Sequence, residues 1–78
     1  MNQKEKIEML LQLQDSKVSP LMRFSSAAFY QLHQTKKSLE RGSDGAADFD
    51  NCISSVIESL ENIAKISQET LALLKNNG

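Results

Sequence analysis

The stretch Phe49-Asp50-Asn51-Cys52-Ile53-Ser54-Ser55-Val56-Ile57-Glu58-Ser59-Leu60-Glu61-Asn62-Ile63-Ala64, continued to Leu71 and Leu74, decides the fold. Its apolar positions, Phe49, Ile53, Val56, Ile57, Leu60, Ile63, Ala64, Leu71 and Leu74, recur three or four residues apart, the period of one helix face. Alternation with period two, the mark of a half-buried strand, survives for no more than a few residues. Ser67 and Thr70 interrupt the stripe near its end. The segment predicts a helix over about 46–75, capped by Asp44 or Asp48.

Upstream, two breaks divide the chain. Proline is tolerated in the first helical turn, and a serine before it can satisfy the exposed N–H groups, so Ser19-Pro20 predicts a helix start. Arg41-Gly42 predicts a stop, with glycine free to turn left-handed and arginine favoured at the negative helix end. The helix between them, about 20–41, carries one stripe of Leu21, Phe24, Ala28, Leu32 and Leu39. A second stripe of Met22, Phe29 and again Leu32 partly overlaps it. A short link, Gly42 to about Ala47, forces the two helices antiparallel. A short additional N-terminal helix, about 3–14, places Ile7, Leu10 and Leu11 on one face. The expected fold is all-α: one small domain over 1–78, an antiparallel helical hairpin with a short leading helix.

Charge and length refine that picture. Residues 17–41 hold Lys17, Arg23, Lys36, Lys37 and Arg41 against Glu40, a net +4. Residues 44–75 hold Asp44, Asp48, Asp50, Glu58, Glu61 and Glu69 against Lys65 and Lys75, a net −4. Oppositely charged neighbours attract, although an exposed pair contributes only ~0–1 kcal/mol. The third helix is expected to outrun the second by roughly 8 residues, ~12 Å. Leu71, Leu73 and Leu74 would then project past the hairpin mate, to be covered by the first segment folding back or by another chain.

Totals limit the function. A 78-residue chain buries a small core, worth ~3–5 kcal/mol net, and such chains often rely on disulfides, a metal or oligomerisation. A lone cysteine, Cys52, excludes an internal disulfide and suits a reducing cytoplasm. Cys52 and His33 alone are too few for a structural zinc. The net charge of −1 gives no reason to expect nucleic acid, and no run of 18 apolar residues predicts a membrane span.

No chemistry emerges from the motifs. His33 has no carboxylate at helical spacing to activate it, and Cys52 has Asp48 and Asp50 nearby, which oppose thiolate formation. Asp44, Asp48 and Asp50 lack the glutamate that a calcium loop carries at its twelfth position, where Ser55 stands. Phosphate loops, paired-histidine motifs and nucleophile elbows are missing too. The chain is not expected to be an enzyme or to hold a cofactor. It is expected to bind protein, through Ile53, Ile57, Leu60, Ala64, Leu71 and Leu74.

The stretch Gln31-Leu32-His33-Gln34-Thr35-Lys36-Lys37-Ser38-Leu39-Glu40-Arg41-Gly42 resembles the end of the first hairpin arm in the small YscE-like proteins of type III secretion systems. Glu61-Asn62-Ile63-Ala64-Lys65-Ile66, with Phe49, Ile53 and Leu60 before it, is similar to their second arm. The likeness spans roughly residues 28–68; the segment ahead of Pro20 and the polar tail Lys75-Asn76-Asn77-Gly78 lie outside it. This resemblance implies a cytoplasmic co-chaperone. Its hairpin would bind a larger helical-repeat chaperone, and the pair would keep a needle-forming subunit monomeric before export. Two alternatives draw on the same apolar stripes: a homodimeric four-helix bundle with a regulatory or adaptor role, and a needle- or filament-like secreted hairpin.

Overall fold

Asn2, three residues ahead of Glu5, forms a capping pattern, and its side-chain Oδ1 accepts the Glu5 backbone N–H at 2.8 Å. From this cap the chain runs as α1 (Gln3–Gln12), a π-helical stretch (Leu13–Val18) and α2 (Ser19–Glu40), then returns as α3 (Ala46–Asn76). The computed structural model describes residues 1–42 and 46–76. Among these there is no strand, and α2 packs along α3, so the predicted all-α antiparallel hairpin is the fold. The molecule is long and thin, 59 × 19 × 12 Å. Its radius of gyration is 17.7 Å, where a compact chain of this length would have about 11–12 Å.

Gly42 ends α2 as the sequence predicts. It takes φ +84°, and its N–H donates to the Leu39 carbonyl at 3.0 Å, while that of Arg41 donates to Lys37 at 3.1 Å. A Cβ at Gly42 would meet nothing within 4 Å, so only the backbone conformation opposes a side chain there. Gly42→Ala should therefore destabilise the hairpin by about 1–2 kcal/mol, read as a lowered midpoint in urea unfolding. An unchanged midpoint would mean that the turn does not constrain the fold. The cap proposed at Asp44, the remaining turn residues Ser43 and Gly45, and the tail residues Asn77 and Gly78 lie outside the described residues. Asp48 falls in the first turn of α3 and is not its cap; it still complements the positive helix end.

Three expectations need correction. Ser19-Pro20 does not break the chain: Val18 and Ser19 are both helical, no side chain caps α2, and helix continues from Gln3 to Glu40. A proline ring collides with the carbonyl four residues before it in a regular α-helix. Widening the preceding turns into a π-helix relieves that collision, which is why the π stretch ends immediately ahead of Ser19-Pro20. As a result α3 does not outrun its mate. The α1–π–α2 rod lies alongside its far end, with Met9, Gln12, Leu13 and Lys17 around Leu73. The first segment shelters that end from one side by running straight on, without folding back, and Leu71, Leu73 and Leu74 all remain exposed. Thirdly, the opposite charges of α2 and α3 do not pair across the hairpin. The ion pair found among the described residues is Lys36–Glu40, 3.5 Å apart along α2 itself.

The rows that face each other are small. On α2, Leu21, Phe24, Ala28, Thr35 and Ser38 are wholly or partly covered; on α3, Cys52, Ser55, Val56, Ser59, Ile63, Ile66 and Thr70 are. Among the described residues only Ala28 and Cys52 are buried, at 8% and 4% exposure. The Cys52 thiol donates to the Gln31 carbonyl at 3.5 Å, tying the two helices together at that height. Thr70 satisfies its hydroxyl on its own helix, donating to the Ile66 carbonyl at 2.7 Å. With so little of its thiol open to solvent, Cys52 should react with an aromatic disulfide reagent at least ~100-fold more slowly in buffer than in denaturant, since reaction requires the seam to open. Equal rates would place Cys52 outside the seam.

Candidate protein-docking face

Two helices side by side form a layer with two broad faces, and the helical period assigns each residue to one of them. A groove of about 420 Å³ on one face is lined by Leu32, Thr35, Lys36, Leu39 and Glu40 from α2 and by Phe49, Cys52 and Ile53 from α3. Further along, Leu21, Met22, Ser25, Ser26 and Ile63 line a second groove. Ser25, Leu32 and Leu39 lie seven residues apart, so both grooves open on the same face. The opposite face has another character. Gln31, Gln34, Thr35 and Ser38 line a groove there with Asp48, Asn51 and Cys52. Thr35 and Cys52 border grooves on both faces because they sit in the seam.

The hairpin is therefore amphipathic as a layer. Its apolar face collects Met22, Phe29, Leu32 and Leu39 from α2 with Phe49, Ile53, Ile57 and Leu60 from α3, and every one of these is exposed. Phe29 is 72% exposed and stacks only on His33 one turn on, ring centroids 6.1 Å apart and planes 8° from parallel. Leu60 is 55% exposed at the middle of α3. Isolated exposed apolar residues are ordinary, but a contiguous two-helix patch marks an interaction surface.

All six residues singled out from the sequence lie on the solvent side of α3. Ile53, Ile57, Leu60, Ala64, Leu71 and Leu74 are all exposed, and their spacing of alternately three and four, with Ser67 filling the one gap, makes a coiled-coil seam without a mate. The structure adds the α2 contribution, Met22, Phe29, Leu32 and Leu39. Met22, Phe29 and Leu32 were already legible as the second stripe of that helix; what sequence does not reveal is that this stripe, together with Leu39 of the first, joins the open face of α3.

Among the described residues no three His, Cys, Asp or Glu side chains gather as a metal group would, and no helix is long and apolar enough to cross a membrane. No family model, curated protein or solved structure matches the chain.

Proposed function

We propose that the protein is a co-chaperone that acts by docking its apolar face on a larger helical-repeat chaperone in the cytoplasm, so that the pair holds a needle-forming secretion subunit monomeric until export. The supporting observation is the uncovered apolar face that both arms of the hairpin build, Phe29 to Leu39 beside Phe49 to Leu60. The identity of the partner comes from the resemblance to YscE-like proteins, which spans roughly residues 28–68. A needle subunit polymerises through apolar helix faces, so a cell must cap those faces before assembly. Helical-repeat chaperones offer concave surfaces built from paired helices, and a rigid hairpin with one oily side extends such a stack by the same helix-on-helix packing. Anything that binds only the folded form also stabilises it by mass action, so each partner would raise the melting temperature of the other.

The test is co-expression with a helical-repeat chaperone and a needle subunit of a type III secretion system. The expected result is a purified complex of this chain with the chaperone, lost in Leu60→Asp and in Leu71→Asp. If both variants co-purify at wild-type yield, or if no helical-repeat protein binds, the proposal is wrong.

A further inference from the structure

We infer that, in the absence of a partner, the apolar face is covered by a second copy of this chain, in a four-helix bundle whose two-fold axis runs parallel to the helices. Three observations carry this, and none depends on the identity of any chaperone. It rests only on the reading of this face as a docking surface.

The first is area. The chain exposes 6197 Å². A folded monomer of 8.7 kDa exposes roughly 4,700 Å². The surplus is about 1,500 Å² per chain, so two chains covering each other would bury about 3,000 Å², within the range of obligate homodimers.

The second is charge. A two-fold axis parallel to the helices sets α2 of each copy over α3 of the other, so the +4 arm of one lies on the −4 arm of its mate. An axis perpendicular to the helices within the layer would instead stack α2 on α2 and α3 on α3, like on like, which is disfavoured. The arms do not spend their opposite charges on each other within one hairpin, as the lack of any cross-hairpin ion pair among the described residues indicates.

The third is register. Leu32 and Leu39 line one groove together with Phe49 and Ile53, and Met22 lines the other with Ile63. In an antiparallel pair that shares these grooves, Phe29 falls near the height of Ile57, Met22 near Ala64, and Lys36 near Asp50. The two-fold preserves these heights. Phe29 of each copy drops between Ile53, Ile57 and Leu60 of the other, Met22 lies over the small Ala64, and Lys36 reaches Asp50. Large groups meet hollows and the basic group meets an acid. All of these residues are exposed in the single chain, so nothing has to move aside.

Sedimentation equilibrium of the isolated protein tests the inference, with charge variants setting the arrangement. The wild type should sediment at twice its 8.7 kDa chain mass at tens of micromolar. Each substitution acts twice across a two-fold, so Lys36→Asp and Asp50→Lys alone should each weaken the dimer roughly tenfold. The double variant Lys36→Asp/Asp50→Lys should recover most of that loss. Circular dichroism confirms that each variant is folded. A wild-type monomer at 100 µM would overturn the inference while leaving chaperone binding intact, whereas a dimer whose double variant shows no recovery would overturn the arrangement. A dimer that persists in Phe29→Asp would place the contact on another face and overturn it as well.

Discussion

Leu60→Asp should leave the hairpin as helical as the wild type and yet lower its affinity for a docked chain by about 100-fold, close to 3 kcal/mol. The separation of the two effects is the point. Leu60 is more than half exposed in the single chain, so the substitution removes little packing within it, and surface changes of this kind move stability by only about 0.5 kcal/mol. In a complex the same position sits mid-face, between Ile53 and Leu71 along α3, where a partner's helix would exclude water. An aspartate trapped there loses its hydration without gaining a cation, because the neighbouring face residues Ile57, Ile63 and Ala64 are apolar. Titration calorimetry measures the affinity and circular dichroism the helix content. A variant that loses its helicity would move Leu60 into the core of the fold; one that binds undiminished would move the docking surface elsewhere.

Ala28→Leu is expected to act in the opposite way, on the fold itself. Ala28 and Cys52 are the two buried residues among those described, with half-buried Ser55 and Ser59 beside Cys52 in the facing row of α3. Short side chains let the helices approach closely, and interaxial distance follows the side chains at the contact. Adding three carbons to the middle of this seam forces the arms apart along much of their length, an overpacking that costs ~1–3 kcal/mol. Against a net stability of only ~3–5 kcal/mol for so small a core, that is a large share. The thermal midpoint should fall by about 10–15 °C. A fall of less than about 3 °C would mean that the seam is loose enough to absorb a leucine, and that Ala28 does not set the helix spacing.

The fold was readable because its main signals are local. The three-and-four spacing from Phe49 to Leu74 has no strand interpretation, and Arg41-Gly42 ended α2 with a left-handed glycine as expected. The passage through Pro20 was not readable, since proline ordinarily marks a boundary. Only the three-dimensional path shows the preceding turns widened to carry the helix on. Because of that passage the N-terminal segment became an extension of α2, which cancelled the expected overhang of α3.

The exposed apolar face was readable in part. Helix α3 bears two rows: a bulky one through Ile53, Ile57, Leu60, Ala64, Leu71 and Leu74, and a smaller, mixed one through Cys52, Ser55, Ser59, Ile63 and Ile66. Hydrophobicity alone ranks the bulky row as the interior. Packing reverses that order, because a two-helix seam takes the small row and leaves the bulky one outside. Serines at positions 55 and 59 were the available clue, since they sit where an apolar seam would otherwise be expected. Their value depends on knowing which row of α2 they meet, and no pattern within one helix contains that.

Hydroxyl-radical footprinting on a dilution series, with and without a binding partner, tests most directly whether another chain lies against the open face. At high dilution Met22, Phe29, Phe49 and Leu60 should all be oxidised readily. On association their oxidation should fall at least severalfold, while Tyr30, which points away from the hairpin on the far side of α2, keeps its rate. Protection of those four residues already at the highest dilution, or protection confined to the face bearing Gln34 and Asn51, would contradict the account.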